Sequence, residues 1–343
     1  MKRHRIAVIG AGMAFEPHAK SLVDLAARVE VAAVVTRDAG RQAATRARYP
    51  FPVSGDLDAV LADRSIDTAL LLTPPHAHLS LIRALAATGK HVLVEKPLAP
   101  TATDARAAVD ACAEAGVTLA VVLQHRFRPA ALALAEAIAA GELGEIATAA
   151  VAIRWWRPQS YYDEPGRGSL ARDGGGVLLT QAIHTLDLFL TLVPPVCEVT
   201  AFTGTSAVHR MQTEDSAAGA VRFANGAIGS VDATTAAFPG FSERIELSGT
   251  RATAVLAGSR LEFMAQDGSR RAIGEASGTG GGADPMAFAH DHHRAVLAEF
   301  IDAIDAGREP RNSGASTLPA LDLIEALLAS SARRHPVALP ATS

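Results

Sequence analysis

From residue 5 to about 122 the chain alternates short β-branched runs with alanine-rich helical stretches, and this alternation constrains the fold more than any other feature. Strands separated by helix-length connections cannot pair as hairpins; the crossovers make them parallel, with helices covering both faces of the sheet. The spacing predicts strands over residues 5–9, 31–36, 67–73, 91–95 and 118–123. Helix starts are marked by Asp56 and by Thr101 or Thr103, whose side chains suit the N-cap position. The expectation is a doubly wound, Rossmann-type dinucleotide-binding domain over residues 1–123.

At 343 residues the chain exceeds the usual size of one core, so a second domain is expected over 124–343, with the final segment packing back on the first. After a helix near 129–140 the periodicity changes to alternation. Runs at 146–156, 196–203, 216–223, 227–235, 244–248, 252–256 and 261–265 predict antiparallel strands. Asn225-Gly226 is the strongest hairpin signal. The glycine-rich stretch 274–282 reads as a mobile loop, and amphipathic helices near 286–306 and 317–332 close the chain. The fold class is therefore α/β, with an α+β second domain.

A composition of 49% hydrophobic and 20% charged residues excludes disorder as the main state. The net charge of −4 offers no broad basic surface for nucleic acid or an anionic membrane, which leaves a small molecule as the expected ligand. Only Cys112 and Cys197 are present, without C-x-x-C or zinc-like spacing, as in a reducing cytoplasm. No run of about 18 apolar residues suggests a membrane span. The charged start, Met1 to Arg5, leads into an apolar run broken at Gly10 and Gly12, which reads as a first strand and not a signal peptide.

Gly10-Ala11-Gly12 stands between the first strand and helix, where glycines let a pyrophosphate approach the backbone and the helix N-terminus faces it. Met13 and Ala14 continue this turn, and Phe15 replaces the third glycine of the usual pattern. The second strand ends in Val35-Thr36-Arg37, without the acidic residue that binds an adenosine ribose. A hydroxyl followed by an arginine suits a 2′-phosphate, predicting NADP(H) over NAD(H). The alternative is that Arg37 is a solvated charge and Asp38 caps the next helix. Thr73-Pro74-Pro75-His76, after the third main strand, is expected to line the cofactor crevice. Glu95-Lys96-Pro97 leaves the next strand at its carboxyl end, where such sheets bind ligands. There the Lys96 ammonium can hydrogen-bond a substrate hydroxyl.

A second constellation follows three glycines, Gly174-Gly175-Gly176, expected to leave room for a ligand. Leu179, Ile183, Leu186 and Leu190 mark a buried helical face, while Thr180, His184 and Asp187 are expected to share another. His184 can take a proton from an alcohol, with Asp187 fixing its tautomer. Arg126 and the group Trp156, Arg157, Tyr161, Tyr162 and Arg167 are candidates for stacking on and hydrogen-bonding a polyhydroxylated ring, or equally for an interface. His290-Asp291-His292-His293 is not read as a metal site, because adjacent helical histidines diverge.

The Gly10-x-Gly12 turn, Glu95-Lys96-Pro97 and Ile183-His184-Thr185-Leu186-Asp187 together resemble the Gfo/Idh/MocA oxidoreductases. The likeness extends over nearly the whole chain, through Asn225-Gly226, Gly307-Arg308-Glu309-Pro310 and Pro336 to Pro340. It implies a Rossmann domain followed by a domain with a large open, mainly antiparallel sheet that forms a homodimer or homotetramer contact. It also implies hydride exchange between a nicotinamide and a secondary alcohol or hemiacetal carbon of a sugar, cyclitol or nucleotide sugar. Lys96 and His184 match the family's lysine and histidine, whereas Thr180 stands where aspartate is frequent and His125 where asparagine is expected. An internal redox cycle on tightly held cofactor, and a non-catalytic nucleotide sensor, are the alternative functions.

Overall fold

The computed structural model describes residues 3–275 and 290–340. The chain divides into two compact units: the described parts of Met1–Gln124 with Phe288–Leu318, and of His125–Ala287 with Pro319–Ser343.

In the first unit β1 (His4–Ile9), β2 (Val29–Val35), β3 (Val53–Ser54), β4 (Thr68–Leu71), β5 (His91–Glu95) and β6 (Leu119–Val122) form one sheet. Their order is β3-β2-β1-β4-β5-β6 and every neighbouring pair is parallel. This is the doubly wound order, with its switch point between β1 and β4. Ile6, Ala7, Val8, Leu70 and Leu93 are 0% exposed, which explains why these strands read as continuous apolar runs and not as alternation. Helix α1 (Phe15–Asp24) follows β1, and helix α2 (Ala39–Arg48) follows β2. Asp38 does cap α2, accepting from the Arg41 N–H at 2.8 Å. Asp56 caps the helix Leu57–Ala62, and Thr101, not Thr103, caps Ala102–Glu114. The helix Asp291–Ala306 packs on α1. The expected earlier start of that helix, and the glycine-rich loop from residue 276 onward, lie outside the described residues.

The second unit is built on β7 (Ile146–Arg154), β8 (Val196–Gly204), β9 (Ser216–Phe223), β10 (Ile228–Thr234), β11 (Arg244–Gly249), β12 (Ala252–Ala257), β13 (Arg260–Ala265), β14 (Arg270–Ile273) and β15 (Val337–Ala338). They make a nine-stranded sheet, β14-β13-β12-β11-β7-β10-β9-β8-β15, antiparallel except where β7 pairs with β10. Asn225-Gly226 turns β9 into β10, with Gly226 at φ +87° and the Asn225 side chain donating to the Ile146 carbonyl. The closing strand β15 joins β8 in this sheet, and residues 290–318 are the late segment that belongs with the first unit. Helices Pro129–Ala139 and Ile183–Leu192 cover one face of the sheet. Ser330, in the helix Gly314–Arg333, accepts from the Ala201 N–H. On the other face Phe202 and Ile228 are 78% and 61% exposed. Residues Leu170–Leu192 are long and apolar enough to cross a membrane by length and composition alone, but their most apolar stretch is 83% buried inside the protein, as in a core segment.

Candidate active site

In the first unit the residues expected to hold a dinucleotide gather at the carboxyl ends of β1, β2, β4 and β5. Gly10 ends β1 at φ +108°, and a Cβ there would lie 2.8 Å from the Leu72 carbonyl oxygen. Only glycine combines that backbone with that approach. Ala14 gives α1 no side-chain cap; the Phe15 N–H bonds the Gly12 carbonyl at 3.1 Å, and the helix end beyond it is open to an anion, as a pyrophosphate site requires. Phe15, in place of the third glycine, turns into the core and meets Tyr49 edge-on at 5.7 Å. Met13 is 54% exposed beside this turn. Thr36 is buried and Arg37 exposed. Sequence reasoning passed over Arg41, whose guanidinium lies 3.8 Å from where a Cβ on Gly12 would stand. The Thr73 hydroxyl is buried with no hydrogen-bond partner among the described residues, and Pro74 and His76 are exposed after it. An uncapped helix end, a glycine cradle and an unpaired buried hydroxyl fit a dinucleotide.

Lys96, half-buried, follows β5, and its N–H donates to Oε2 of Glu95 at 3.1 Å. The other oxygen of Glu95 lies 2.8 Å from Nε2 of His18. Burial pushes the Glu95 carboxyl up, but the His18 hydrogen bond together with the charges of His18, His293 and Lys96 outweighs it and holds the group at about 2. His293 completes a buried cluster whose donor atoms lie within 4.8 Å of one another. His290 instead contacts Asp24 at 2.8 Å, so the histidine run does diverge. Beyond Lys96 the buried His78 sets Nδ1 3.0 Å from the Pro97 carbonyl and Nε2 2.8 Å from that of Thr73. No local pattern points to His18 or to its meeting with Glu95 and His293, because these partners are distant in sequence.

In the second unit a widened π turn, Leu178–Ala182, precedes the helix Ile183–Leu192. It rotates the residues on either side, so Thr180 and His184 do not follow the straight-helix register expected. The Thr180 hydroxyl donates to the Gly176 carbonyl at 2.7 Å. His184 is buried, and the ring of His125 lies against it with centroids 5.1 Å apart. Arg128 donates to His125 Nε2 at 2.6 Å and pairs with Glu243, which places the His125 proton on Nδ1, toward Thr185 at 3.4 Å. Asp187 does not serve as the tautomer-fixing partner of His184. Its two oxygens accept from Arg126 at 2.5 and 2.6 Å, and both residues are buried. Burial pushes the Asp187 carboxyl up, against the pull of Arg126. Arg126 is therefore an internal partner and not an open substrate contact.

The glycines before this helix also differ from expectation. A Cβ on Gly176 would fall 2.1 Å from the Glu214 carbonyl oxygen, so the space is filled by the protein's own chain and not left for a ligand. Gly174, at φ +77°, ends the short helix Leu170–Asp173. Among the aromatic and arginine candidates, Tyr162 is buried and shares a 2.8 Å hydrogen bond with Thr235, and burial pushes its phenol up to about 12. It is a packing residue. Trp156 meets Phe238 edge-on at 5.4 Å. Tyr161 remains half-buried between the guanidinium groups of Arg157 and Arg167, 5.6 and 4.6 Å from its ring centre.

Residues 4–123 match the oxidoreductase family with an NAD-binding Rossmann fold, and residues 131–255 match the Gfo/Idh/MocA C-terminal domain. The chain is 29% identical to the D-apiose dehydrogenase of Paraburkholderia graminis over 343 residues, covering 95% of this chain and 87% of that one. It is 31% identical to the 1,5-anhydro-D-fructose reductase of Ensifer adhaerens over 265 residues, 75% of each chain. The crystal structure of the WlbA dehydrogenase from Bordetella pertussis with NADH and UDP-GlcNAcA matches with a TM-score of 0.85 at 29% identity, covering 100% of this chain and 99% of that one. Fold, glycine turn and strand-end lysine thus define an NAD(P)-dependent oxidoreductase with a Rossmann cofactor domain. The chain belongs to the Gfo/Idh/MocA family.

Proposed function

We propose that this oxidoreductase interconverts a secondary alcohol and a carbonyl on a carbohydrate-like substrate, with NADP(H) preferred. The observation that carries the reading is the placement of Lys96 directly after β5, at the ligand-binding end of a sheet whose switch-point turn fits a dinucleotide. The bound nicotinamide supplies or accepts the hydride. His184 takes the hydroxyl proton in the oxidative direction and returns it in the reductive one. Lys96 donates a hydrogen bond to the substrate oxygen and stabilises its developing negative charge. Thr180 cannot act as a carboxylate base, so proton transfer rests on His184. Tyr161 with Arg157 and Arg167 offers a stacking and hydrogen-bonding surface for a ring substrate.

The NADP(H) preference rests on Thr36, on exposed Arg37, and on Arg41 beside the phosphate turn. Association through the second sheet is supported by its exposed Phe202 and Ile228 and by the small residues Ala218, Ala220 and Ala152 around them. We place the protein in the cytoplasm, in keeping with free Cys112 and Cys197. The test is absorbance at 340 nm with NADP⁺ or NAD⁺ and a panel of D-apiose, inositol, levoglucosan and nucleotide sugars. Substrate-dependent reduction supports the reading, and a folded, cofactor-binding protein inert toward polyols, sugars and nucleotide sugars in both directions contradicts it.

A further inference from the structure

Lys96 is held from β5 by a carboxylate that also holds a buried histidine. Oε2 of Glu95 accepts the Lys96 N–H at 3.1 Å, while Oε1 lies 2.8 Å from Nε2 of His18 in α1. Glu95 is ionised and can only accept, so the proton of the second bond sits on His18 Nε2. His18 is 0% exposed, and His293 packs edge-on against it with ring centres 5.0 Å apart. A charge-assisted bond in so enclosed a place is short and directional. With both oxygens engaged, the Glu95 side chain and the peptide plane carrying the Lys96 N–H are fixed together. That plane sets the direction in which the Lys96 side chain leaves the backbone.

We propose that His18 is a positioning residue: through Glu95 it aims Lys96, and it ties that aim to α1, whose N-terminus faces the dinucleotide phosphates. The inference rests on the reading of Lys96 as the group that contacts the substrate oxygen. His18, Glu95 and His293 could in principle ligate a divalent cation. A ligating nitrogen must be unprotonated, so a metal held through His18 Nε2 would replace its proton and break the bond to Glu95.

The experiment measures acetylation of Lys96 by acetic anhydride from about pH 7 to 11, quantified by peptide mass spectrometry, which reads the amine's ionisation and access without a substrate. The wild type is compared with His18→Ala, with His18→Gln, whose amide nitrogen reaches the place of Nε2, and with Glu95→Gln. His18→Ala should change the Lys96 labelling rate at least about threefold, and His18→Gln should restore most of it. With a substrate in hand, His18→Ala should lower kcat about tenfold while KM and the dinucleotide Kd stay within about twofold. If His18→Ala does not fold, Glu95→Gln breaks the same link and carries the same expectation. Unchanged labelling in a folded variant, or a stoichiometric divalent metal in the purified wild type, overturns the proposal. Full turnover in Lys96→Ala would instead overturn the role given to Lys96, an outcome the labelling does not produce.

Discussion

At the scale of single residues, the proton transfer proposed for His184 gives its removal a definite signature. His184→Ala should lower turnover about 10² to 10⁴-fold at saturating cofactor, with the dinucleotide Kd nearly unchanged. Steady-state kinetics beside a fluorescence titration separate the two effects. Asp187 has a different duty. Asp187→Ala leaves Arg126 buried without its carboxylate and should cost about 3 to 5 kcal/mol, measured by urea unfolding. The contrast shows what a sequence reveals at this scale. Gly10 and Lys96 are legible because their strands, and therefore their places at a strand end, can be read beside them. The partner of Asp187 is not, since Arg126 lies 61 positions away and helical spacing alone points the carboxylate toward His184. The π turn before His184 is equally silent, because its widened register depends on packing more than on residue type.

Among elements, α1 and the helix Asp291–Ala306, which bring His18 and His293 together, make a pH-dependent joint. Burial, aided by the neighbouring His18, pushes His293 from 6.5 down to about 4. The unfolded chain therefore takes up this proton first as pH falls. The stability from keeping His293 neutral is full above about pH 6.5 and is lost as pH falls from there toward 4, amounting to about 3 kcal/mol at most. Urea unfolding at intervals from about pH 7.5 to 4.5 should show a shallower loss in His293→Phe than in the wild type, because the variant lacks that proton. Glu95 contributes below this window, since its carboxyl is depressed from 4.5 to about 2. Long strands such as β7 and β10 were foreseen to within a residue or two, because burial on one face writes alternation into them. The two-residue strands β3 and β15 and the short helix Gln159–Tyr162 were not, because pieces so short owe their conformation to neighbours.

For the molecule as a whole, association and cofactor choice are the properties most open to test. Phe202→Glu places a charge on the exposed face of the second sheet and should convert an oligomer to monomers in light scattering. Arg37→Ala should weaken NADPH about tenfold and NADH hardly at all, in parallel titrations. The outline of a parallel sheet followed by a largely antiparallel one was legible from periodicity, which long-range contacts do not disturb. The return of the Asp291–Ala306 helix to α1 was not, because nothing in an amphipathic run names the surface it covers. The central claim is the proposal that Lys96 and His184 serve one proton-coupled hydride transfer. A double-mutant cycle on kcat at 340 nm, with Lys96→Ala, His184→Ala and both together, tests it most directly. The account predicts that the double variant loses about as much as the worse single one. Losses that multiply in full, or a single variant with wild-type turnover, would contradict it.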